Sequence, residues 1–435
     1  MKTIVIGGGA SGMMAALSSA YNGDNVILYE KNEKLGKKLF ITGKGRCNVT
    51  NACSRDEFFE NVVSNPKFLY SAFSSFDNND VIRFIEDNGT PLKTERGNRV
   101  FPVSDHSSDI IKAFNKALKD AGVEVRLNES IKNLIIDNAE HDGNTTQITD
   151  NNSSFEDNKK NKHKKQIKGI ITDSGKKEYA DRVIVCTGGI SYKSTGSTGD
   201  GLHWAGESGH RIESLRPALV PLETREKWVY NLQGLTLKNV KLSLIINDKT
   251  VYKEMGEMLF THFGISGPLV LTASSILASY DSSAKKAVHI DLKPALSDEE
   301  FDARLIRELK EGNKKEIKNI IGNIYPVKLG LELCQLIGLN IYKKCNEINK
   351  EERNKLVNIT KRLPITISGT RDYNEAIITH GGVSVKDINP KSMESKIVKD
   401  LYFAGEVIDV DAFTGGFNLQ IAFSTGYLAG SANRY

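Results

Sequence analysis

Apolar runs and glycine turns alternate near the start of the chain in the order expected of a parallel β-sheet. The β-branched run Thr3–Ile6 ends at three glycines, a helix-like segment covers Ala10–Tyr21, and a second apolar run covers Asn25–Tyr29. A strand, a helix and a strand in this order form a βαβ unit, whose strands are parallel. Residues 401–435 again predict a strand, a glycine loop and a helix. The pattern therefore predicts an α/β fold that draws on both ends of the chain.

Between the two ends, the pattern changes from mixed to strand-rich and then to helix-rich. Helices are predicted within 56–88 and over Ile110–Ala121, and residues 297–362 combine helical spacing with many Lys and Glu residues. Residues 211–258 predict a separate strand domain. The other predicted strands are Val123–Leu127, Ile131–Ile136, Gly169–Thr172, Tyr179–Cys186, Ile365–Ile367 and Glu375–Ile378.

A hydrophilic tract, Asn138–Lys168, interrupts this pattern. It has almost no large apolar residues, so burial cannot offset the entropy of ordering it. Because strands are predicted on both sides, we interpret the tract as the elongated, mobile loop of one hairpin. Its lysine run is more typical of a solvated loop than of a surface for an acidic partner. The run consists of Lys159, Lys160, Lys162, Lys164 and Lys165.

Length and composition limit the class of protein. A chain of 435 residues is expected to form two or three domains, and 39% hydrophobic with 26% charged residues is ordinary for a globular protein. The net charge of +5 is too small to indicate nucleic-acid binding, although it would not repel an anionic cofactor. No window approaches the roughly 18 apolar residues of a membrane helix, and the start lacks the features of a signal peptide. We therefore expect a cytoplasmic protein that does not bind membranes.

The cysteines give no sign of a metal site or of a disulfide framework. They form neither a CxxC pair nor a cluster with His, and a scattered, odd-numbered set fits a reducing cytoplasm. The five are Cys47, Cys53, Cys186, Cys334 and Cys345.

The first glycine turn matches the dinucleotide-binding pattern G-x-G-x-x-G. Gly7, Gly9 and Gly12 stand between the first strand and the helix, where the backbone can approach a pyrophosphate at the helix N-terminus. Glu30 ends the second strand, where an acid accepts hydrogen bonds from ribose hydroxyls. Because a carboxylate disfavours a 2′-phosphate, this site is predicted to bind FAD or NAD and not NADP.

Two further glycine-rich segments favour FAD over NAD. Residues 35–51 form a polar loop whose backbone N–H groups can face phosphate or flavin atoms, with Arg46 as a candidate phosphate partner. A simple surface turn is the alternative for this loop. Residues 403–420 carry glycines that open the last helix, and a helix N-terminus at the flavin pyrimidine edge would stabilise the anion formed on reduction.

Taken together, these motifs resemble a bacterial family of NAD(P)/FAD-dependent oxidoreductases that includes aminoacetone-oxidase-like flavoproteins. That family belongs to the larger glutathione-reductase/fumarate-reductase type of FAD fold. The matching segments keep the family's order over nearly the whole chain, and the polar tract at 138–168 looks like an insertion. The segments are GGGASGMMAA (7–16), ITGKGRCNVTN (41–51), TGG (187–189), LRPALVPL (215–222), LFTHFGISGPLVL (259–271), GGVSV (381–385) and AGEVIDVDAFTGGFNLQIAFSTGYLAG (404–430).

The resemblance implies a Rossmann-like, three-layer FAD-binding domain built from both termini, with an inserted β-barrel domain and a small helical domain. On this basis the FAD-binding domain is expected at 1–192 and 386–435. The barrel is expected at 193–265 with return strands at 363–385, and the helical subdomain at 266–362.

The resemblance also implies roles for individual residues. Glu30 would hold the adenosine ribose, Val125 would lie by the adenine, and Glu406 would reach the ribityl chain. Asn48 and the segment Gly415–Gln420 would line the isoalloxazine. The full set of expected FAD-binding residues is Gly7, Gly9, Ala10, Ser11, Gly12, Glu30, Lys31, Lys38, Thr42, Gly43, Gly45, Arg46, Cys47, Asn48, Val125, Thr187, Gly188, Gly189, Gly405, Glu406, Asp409, Gly415, Gly416, Asn418, Leu419 and Gln420.

The catalytic acid is not identified by the sequence, and three residues are weak candidates. Cys47 could be redox-active beside the flavin, but Cys53 is six residues away and a packed or substrate-lining thiol is the more usual role. His262 and His380 could donate a proton, although a single His is more often structural. Phe263–Pro268 is interpreted as a domain-joining turn. Because no second G-x-G-x-x-G follows a strand there, a dedicated NAD(P)H domain is not expected.

The sequence therefore predicts an FAD-dependent oxidoreductase that passes a hydride through flavin N5, from NAD(P)H as a transient reductant to a small organic acceptor. One alternative is an amine or hydroxyl oxidase that uses dioxygen. An alternative of another class is an FAD-dependent RNA-modifying or nucleic-acid-associated protein, which would need a basic face. The only lysine run lies in the polar tract, so we do not expect nucleic acid as a partner. The sequence makes no prediction of the oligomeric state.

Overall fold

The structure, a computed structural model, describes residues 1–138 and 165–432. The chain forms two compact units, one from Met1–Arg216 with Ile378–Tyr435 and the other from Pro217–Ile377. The central part of the polar tract, with its lysines at 159–164, lies outside the described residues.

The strands match the predicted apolar runs closely at both ends of the chain. They are β1 (Lys2–Ile6), β2 (Asn25–Glu30), β3 (Thr50–Asn51), β4 (Leu92–Glu95), β5 (Arg99–Pro102), β6 (Glu124–Leu127), β7 (Ile131–Asn138), β8 (Lys165–Thr172), β9 (Lys177–Tyr179), β10 (Arg182–Val185), β11 (Arg216–Ala218), β12 (Leu222–Thr224), β13 (Thr236–Ile246), β14 (Lys249–Phe260), β15 (Gly264–Ser266), β16 (Lys286–Asp291), β17 (Leu363–Thr370), β18 (Ile378–His380), β19 (Val398–Lys399) and β20 (Leu401–Phe403).

The helices are shorter and more numerous than the sequence pattern predicts, because 56–88 breaks into several pieces. They are α1 (Ala10–Tyr21), α2 (Lys37–Ile41), α3 (Arg55–Glu60), α4 (Tyr70–Ser75), α5 (Asn78–Asp87), α6 (Ser107–Asp120), α7 (Asp200–Ser208), α8 (Trp228–Asn231), α9 (Pro268–Ala278), α10 (Asp298–Gly312), α11 (Val327–Leu336), α12 (Lys350–Lys361) and α13 (Phe417–Ser431). None of the described helices is long and apolar enough to cross a membrane.

A five-stranded parallel sheet forms the centre of the first unit, in the order β20-β10-β1-β2-β6. Its inner strands β10, β1 and β2 are buried almost throughout, as their continuous apolar runs predict for a sheet covered on both faces. Helices α1 and α13 pack against each other, so the two ends of the chain meet in one core. The prediction of a Rossmann-type fold assembled from both termini is confirmed.

Smaller sheets extend this unit. Strands β7 and β8 pair antiparallel, from Ile131 opposite Thr172 to Asn138 opposite Lys165, so the predicted hairpin arms are confirmed. Strands β19 and β9 add to β8. Strands β3, β5 and β4 form a three-stranded sheet that the sequence pattern did not predict. This sheet places the loop before β3 next to the 92–102 hairpin.

The second unit is a closed six-stranded barrel with helices, in the strand order β12-β15-β14-β13-β16-β17. Helices α8 to α12 share one hydrophobic core with the barrel strands. The segment Phe263–Pro268, interpreted above as a domain-joining turn, instead contributes the barrel strand β15 and the first residue of α9. A three-residue strand with one large apolar side chain, Ile265, does not stand out from a turn in the sequence.

Several boundaries differ from the sequence-based ones. The first unit continues to Arg216 and resumes at Ile378, compared with the expected 192 and 386. Strand β16 lies inside the 266–362 range that was expected to be helical. The strand expected at Glu375–Ile378 is shifted to Ile378–His380, and residues 373–375 form a turn. In each case tertiary pairing, which local patterns do not encode, decides the assignment.

Candidate functional site

The turn between β1 and α1 leaves backbone N–H groups available for a bound anion. Gly7 has a φ of 102°, and a Cβ atom there would stand 2.6 Å from the carbonyl oxygen of Cys186. Gly9, the N-cap residue before α1, provides no side-chain cap, and the first turn of the helix contains no acidic residue. A Cβ built on Gly9 would meet nothing within 4 Å. The helix N-terminus is therefore open and positive, as a pyrophosphate requires.

Glu30 is fixed next to this turn at the end of β2. Its Oε2 accepts a hydrogen bond from Gly8 N at 2.7 Å, and its Oε1 accepts one from Asn32 N at 2.8 Å. Val125 lies one strand away on β6, paired with Leu28 and partly exposed. The structure thus brings together the residues expected at the adenosine end of FAD.

Glu406 gathers the residues expected near the ribityl chain. Its carboxylate accepts hydrogen bonds from Lys38 Nζ at 2.6 Å, from Ser191 Oγ at 2.9 Å and from Thr379 N at 2.8 Å. The hydroxyl of Thr379 in turn accepts from Ile190 N. Ser191 and Thr379 were missed by sequence reasoning, since they belong to segments far apart in the chain. This network connects Lys38, the segment after the TGG motif and Glu406.

Two buried polar atoms in this region lack partners. Asn48 Oδ1 and Thr187 Oγ1 have no hydrogen-bond partner among the described residues. Buried polar groups are normally paired, so each such atom needs an explanation such as a bound molecule. Both atoms belong to residues expected to contact FAD. Together with the open glycine turn, they fit a bound dinucleotide.

The start of α13 lies against the loop that contains Asn48. Gly416 has a φ of 99°, and a Cβ atom there would stand 2.4 Å from the backbone of Thr50. Asn51 donates a hydrogen bond to the carbonyl of Gly415 at 2.9 Å. The first turn of α13 contains no acidic residue and its N-cap has no side-chain bond. Its N-terminus can therefore stabilise negative charge.

Two residues that were expected to line the isoalloxazine form side-chain hydrogen bonds within the protein. Gln420 is fully buried and bonds to Thr50 Oγ1, to the carbonyl of Phe76 and to Ser424 Oγ. The side chain of Asn418 both accepts from and donates to the backbone of Ala412. These side chains therefore stabilise the conformation of the loop before α13. That this segment contacts the cofactor stays a prediction, which now concerns its backbone and Leu419.

Arg46, the candidate phosphate partner, is engaged by acids. Its guanidinium pairs with Asp105 at 2.6 Å and with Glu95, and it stacks on the Phe101 ring at 4.2 Å from the centroid. Hydrogen bonds to these two carboxylates raise the pKa of Arg46. The side chain therefore ties the 42–48 loop to the β4–β5 hairpin, a structural role that the sequence did not reveal.

The remaining expected residues are found in the same unit. Lys31 Nζ is held by Asp200 at 2.7 Å and by Thr198. Asp409 accepts hydrogen bonds from Asn65 on both its side chain and its carbonyl, and burial raises the pKa of its carboxyl. The others lie at the start of α1 (Ala10, Ser11, Gly12), in short 3-10 helices (Thr42, Gly43, Gly45, Gly405) or in the irregular segment after β10 (Gly188, Gly189).

The three catalytic candidates differ sharply in environment. Cys47 is fully buried and burial raises the pKa of its thiol to about 12, so it does not form a thiolate at neutral pH. His262 belongs to the second unit. His380 lies in the first unit, with Nδ1 3.0 Å from Asp411 Oδ1 and 3.4 Å from Ser64 Oγ. Asp411 was missed by the sequence analysis, although the acidic spacing in residues 409–411 is visible there.

Comparison with known proteins agrees with this geometry. Residues 1–432 match the HI0933-like protein Rossmann domain. The chain belongs to the HI0933-like family. Within the ranges 1–138 and 165–432, no group of three His, Cys, Asp or Glu side chains could hold a metal ion. This HI0933-like protein is an FAD-dependent oxidoreductase.

Two full-length relatives show what chemistry occurs among similar chains. The 3-dehydro-bile acid delta(4,6)-reductase of Clostridium scindens is 28% identical over 433 residues, covering 98% of each chain. The ribosomal RNA dihydrouridine synthase of Haemophilus influenzae is 30% identical over 429 residues, covering 98% of this chain and 96% of the relative.

A solved structure supports the fold. The 3-ketosteroid delta1-dehydrogenase of Sterolibacterium denitrificans, in complex with 1,4-androstadiene-3,17-dione, superposes with a TM-score of 0.50 at 14% identity. The alignment covers 98% of both chains. At this identity the likeness concerns the fold alone.

Proposed function

We propose that this protein is a reductase that uses NAD(P)H to reduce a carbon–carbon double bond conjugated to a carbonyl group in a small organic acceptor. The observation that carries the proposal is an alignment with a relative named as a bile acid reductase, which covers 98% of the length of both proteins. Reduction of such a bond needs a hydride at one carbon and a proton at the other. FAD, when bound, supplies the hydride from flavin N5.

The protein's own residues would hold and tune the cofactor. The open N-terminus of α1 would bind the pyrophosphate, and Glu30 and Glu406 would accept hydrogen bonds from the ribose and ribityl hydroxyls. Asn48 and Thr187 would direct their unpaired oxygens at the cofactor. The N-terminus of α13 would stabilise negative charge on the ring.

The sequence contains one G-x-G-x-x-G fingerprint, at Gly7–Gly12, and FAD would occupy it. Without a second dinucleotide fingerprint, the nicotinamide and the acceptor are proposed to bind in turn at the same flavin. Such an enzyme shows ping-pong kinetics, with parallel double-reciprocal lines when both substrates are varied.

Anaerobic mixing of the FAD-bound protein with NADH or NADPH tests the donor. Rapid bleaching of the oxidised-flavin absorbance band is expected, followed by its return when a 3-oxo-Δ4 steroid or cyclohex-2-en-1-one is added. The Glu30→Ala variant, which is expected to bind FAD weakly, is the matched control. A flavin that neither nicotinamide bleaches would contradict the donor, and one that no enone reoxidises would contradict the acceptor class.

Reoxidation by dioxygen at a rate exceeding that with every enone would favour the amine or hydroxyl oxidase. In that case an amine or alcohol substrate, and not NAD(P)H, would bleach the flavin. The anaerobic and aerobic arms of the same experiment therefore separate a reductase from an oxidase.

A second candidate acceptor is uridine in ribosomal RNA, because a full-length relative at 30% identity is named as a ribosomal RNA dihydrouridine synthase. The C5=C6 bond of uracil is itself conjugated to a carbonyl, so the chemistry is the same and only the acceptor differs. Incubating the reduced protein with unmodified ribosomal RNA and measuring dihydrouridine by nucleoside mass spectrometry decides between them. Formation of dihydrouridine at a rate above that with the enones would replace the small acceptor.

A further inference from the structure

His380 is held in one orientation by a buried acid. Its Nδ1 stands 3.0 Å from Oδ1 of Asp411, a residue only 1% exposed, and 3.4 Å from Ser64 Oγ. The imidazole itself is partly accessible, with 14% of its side chain exposed. The Nε2 atom has no hydrogen-bond partner among the described residues. One ring nitrogen is therefore committed to the protein and the other is available.

The identity of the partner fixes the proton on the ring. An ionised carboxylate only accepts hydrogen bonds, so Nδ1 carries a hydrogen in both the neutral and the charged ring. A gained or lost proton must then be on Nε2, the nitrogen without a partner. This is how a buried acid orients a histidine that exchanges protons.

The electrostatic surroundings favour the charged ring. Burial disfavours the imidazolium, but the hydrogen bond to Asp411 and its charge outweigh this, and the pKa of His380 is raised above its ordinary value. Asp409 adds attraction and Arg216 opposes it. Asp411 Oδ2 is buried without a partner in the parts of the chain that are described, so its charge is not neutralised on that side.

The position in the fold connects this pair with the cofactor residues. His380 directly follows Thr379, whose N–H binds Glu406, the expected ribityl ligand. Asp411 precedes the glycine loop that opens α13, where Asn418 holds the backbone of Ala412. The pair therefore lies between two segments expected to contact the flavin.

We propose that His380 donates from Nε2 the proton that accompanies the hydride, and that Asp411 is its positioning residue. The inference rests on the proposed function, which requires such a proton. One carbon of the double bond gains the hydride, drawn originally from the nicotinamide, and the other gains the proton of His380. The double bond becomes single, the ring of His380 is left neutral with its hydrogen on Nδ1, and solvent returns the proton to Nε2.

The His380→Asn variant isolates this role. The amide nitrogen of Asn takes the place of Nδ1 and can still donate to Asp411, so the local hydrogen bond is kept while the Nε2 donor is lost. The surface variant His203→Asn, at an exposed histidine paired with Glu207, is the matched control.

Two measurements on the FAD-bound protein test the proposal. In stopped-flow mixing, bleaching by NAD(P)H is expected at the wild-type rate in His380→Asn, whereas reoxidation by cyclohex-2-en-1-one slows by about 10²–10⁴-fold, the range for loss of a general acid. His203→Asn keeps both rates. Equal slowing of both steps, or slowing of neither, would overturn the proposal.

The second measurement needs no acceptor. The NMR signal of the His380 imidazole is identified as the one that is absent from the spectrum of His380→Asn. In the wild type this signal is titrated with pH, once in oxidised protein and once in protein reduced with dithionite. A ring facing the flavin shows a higher pKa after reduction, because added negative charge stabilises the imidazolium. Asp411→Asn lowers the pKa in both states. An unchanged pKa on reduction overturns the role of His380 for any acceptor, whereas a raised pKa without enone turnover overturns only the acceptor class.

Discussion

At the scale of single residues, the cofactor site is marked by polar atoms that the protein leaves unpaired. A buried acceptor or hydroxyl without a partner costs about 1–3 kcal/mol relative to a paired one. Thr187 Oγ1 and Asn48 Oδ1 carry this cost in the protein alone. A ligand that donates to them or accepts from them recovers it, so folding stability has been given up in favour of binding.

Thr187→Val should therefore affect folding stability and FAD affinity in opposite directions, because it removes the unpaired hydroxyl at constant volume. The variant without FAD should unfold at the same or higher denaturant concentration than the wild type. Its FAD affinity should fall about 5- to 10-fold, the equivalent of one hydrogen bond of about 1 kcal/mol. Fluorescence titration of the apoprotein with FAD measures the affinity.

Thr224→Val is the matched control, because Thr224 Oγ1 is also buried and unpaired but belongs to the second unit. It should share the effect on stability and leave FAD binding unchanged. Equal FAD affinity for Thr187→Val and the wild type would show that the hydroxyl does not face the cofactor.

The pairings around the site explain why sequence reasoning found some residues and missed others. Gly7–Gly12 and Glu30 were identified because their signal is local, a turn between a strand and a helix followed by an acid. The bond between His380 and Asp411 spans 31 positions, and that between Lys38 and Glu406 spans 368. Nothing in the local pattern indicates which distant residues meet, so such partners are visible only in the fold.

At the scale of elements, the N-terminus of α13 is held so close to β3 that a side chain does not fit. A Cβ on Gly416 would stand 2.4 Å from the Thr50 backbone, and the φ of 99° is itself unfavourable for other residues. The helix end therefore reaches the 48–51 loop only because this residue is glycine.

Gly416→Ala should consequently lower the free energy of unfolding by more than about 2 kcal/mol and reduce the FAD content of the purified protein. The control is Gly23→Ala, where φ is 87° but nothing lies within 4 Å of the added carbon. Gly23→Ala should lower the free energy of unfolding only by the cost of the positive φ, about 1 kcal/mol. Denaturant titration gives both values, and equal losses would mean that the contact with Thr50 is relaxed at little cost.

The link between β1 and β9 is electrostatic and should depend on pH. Glu178 lies 2.8 Å from Lys2 Nζ and 2.9 Å from Lys176 Nζ, and hydrogen bonds to these two ammonium groups lower the pKa of Glu178 from 4.5 to about 2. A lowered pKa in the folded state stabilises the protein above pH 4.5, and this stability is lost as the pH falls through 2.

Glu178→Gln should therefore be less stable than the wild type by about 1 kcal/mol at pH 7, as suits a partly exposed ion pair. The difference should close as the pH falls from 4.5 towards 2. Thermal unfolding at several pH values tests this, with Glu311→Gln, at an exposed position of α10, as a control that should differ little at any pH. A gap that persists at the lowest pH would assign the effect to packing.

The outer elements of each unit were the hardest to predict from the sequence. The β1–α1–β2 unit and helix α6 were placed within a few residues, since their apolar periodicity is regular. Strand β15 has three residues and β3 has two, and such short strands exist because a neighbour pairs with them. These short strands are stabilised by the strands that pair with them, and the sequence of the short segment alone does not indicate that pairing.

At the scale of the whole molecule, two hydrophobic cores serve two units. The parallel sheet and its helices enclose one core, and the barrel with its helices encloses the other. The predicted FAD-binding residues all belong to the first unit. A ligand stabilises only the state that binds it, so FAD should act on one unit alone.

Calorimetry of the full chain should accordingly show two transitions, of which only one moves to higher temperature when FAD is added. At a free FAD concentration of 100 times Kd, the stabilisation is about 2.7 kcal/mol. Gly416→Ala should lower the temperature of the same transition and leave the other in place. A single transition that responds as a whole would show that the two units unfold together.

The split of the first unit by the second also determines when the protein can mature on the ribosome. Pro217–Ile377 is continuous in the chain and complete before Ile378 is translated, whereas β20 and α13 are translated later. Until then the nascent sheet ends at β10, and the face of α1 that packs on α13 is uncovered. The flavin should therefore load only once α13 has been synthesised, and a message truncated before Leu401 should yield a product that keeps the glycine turn and Glu30 but never becomes yellow.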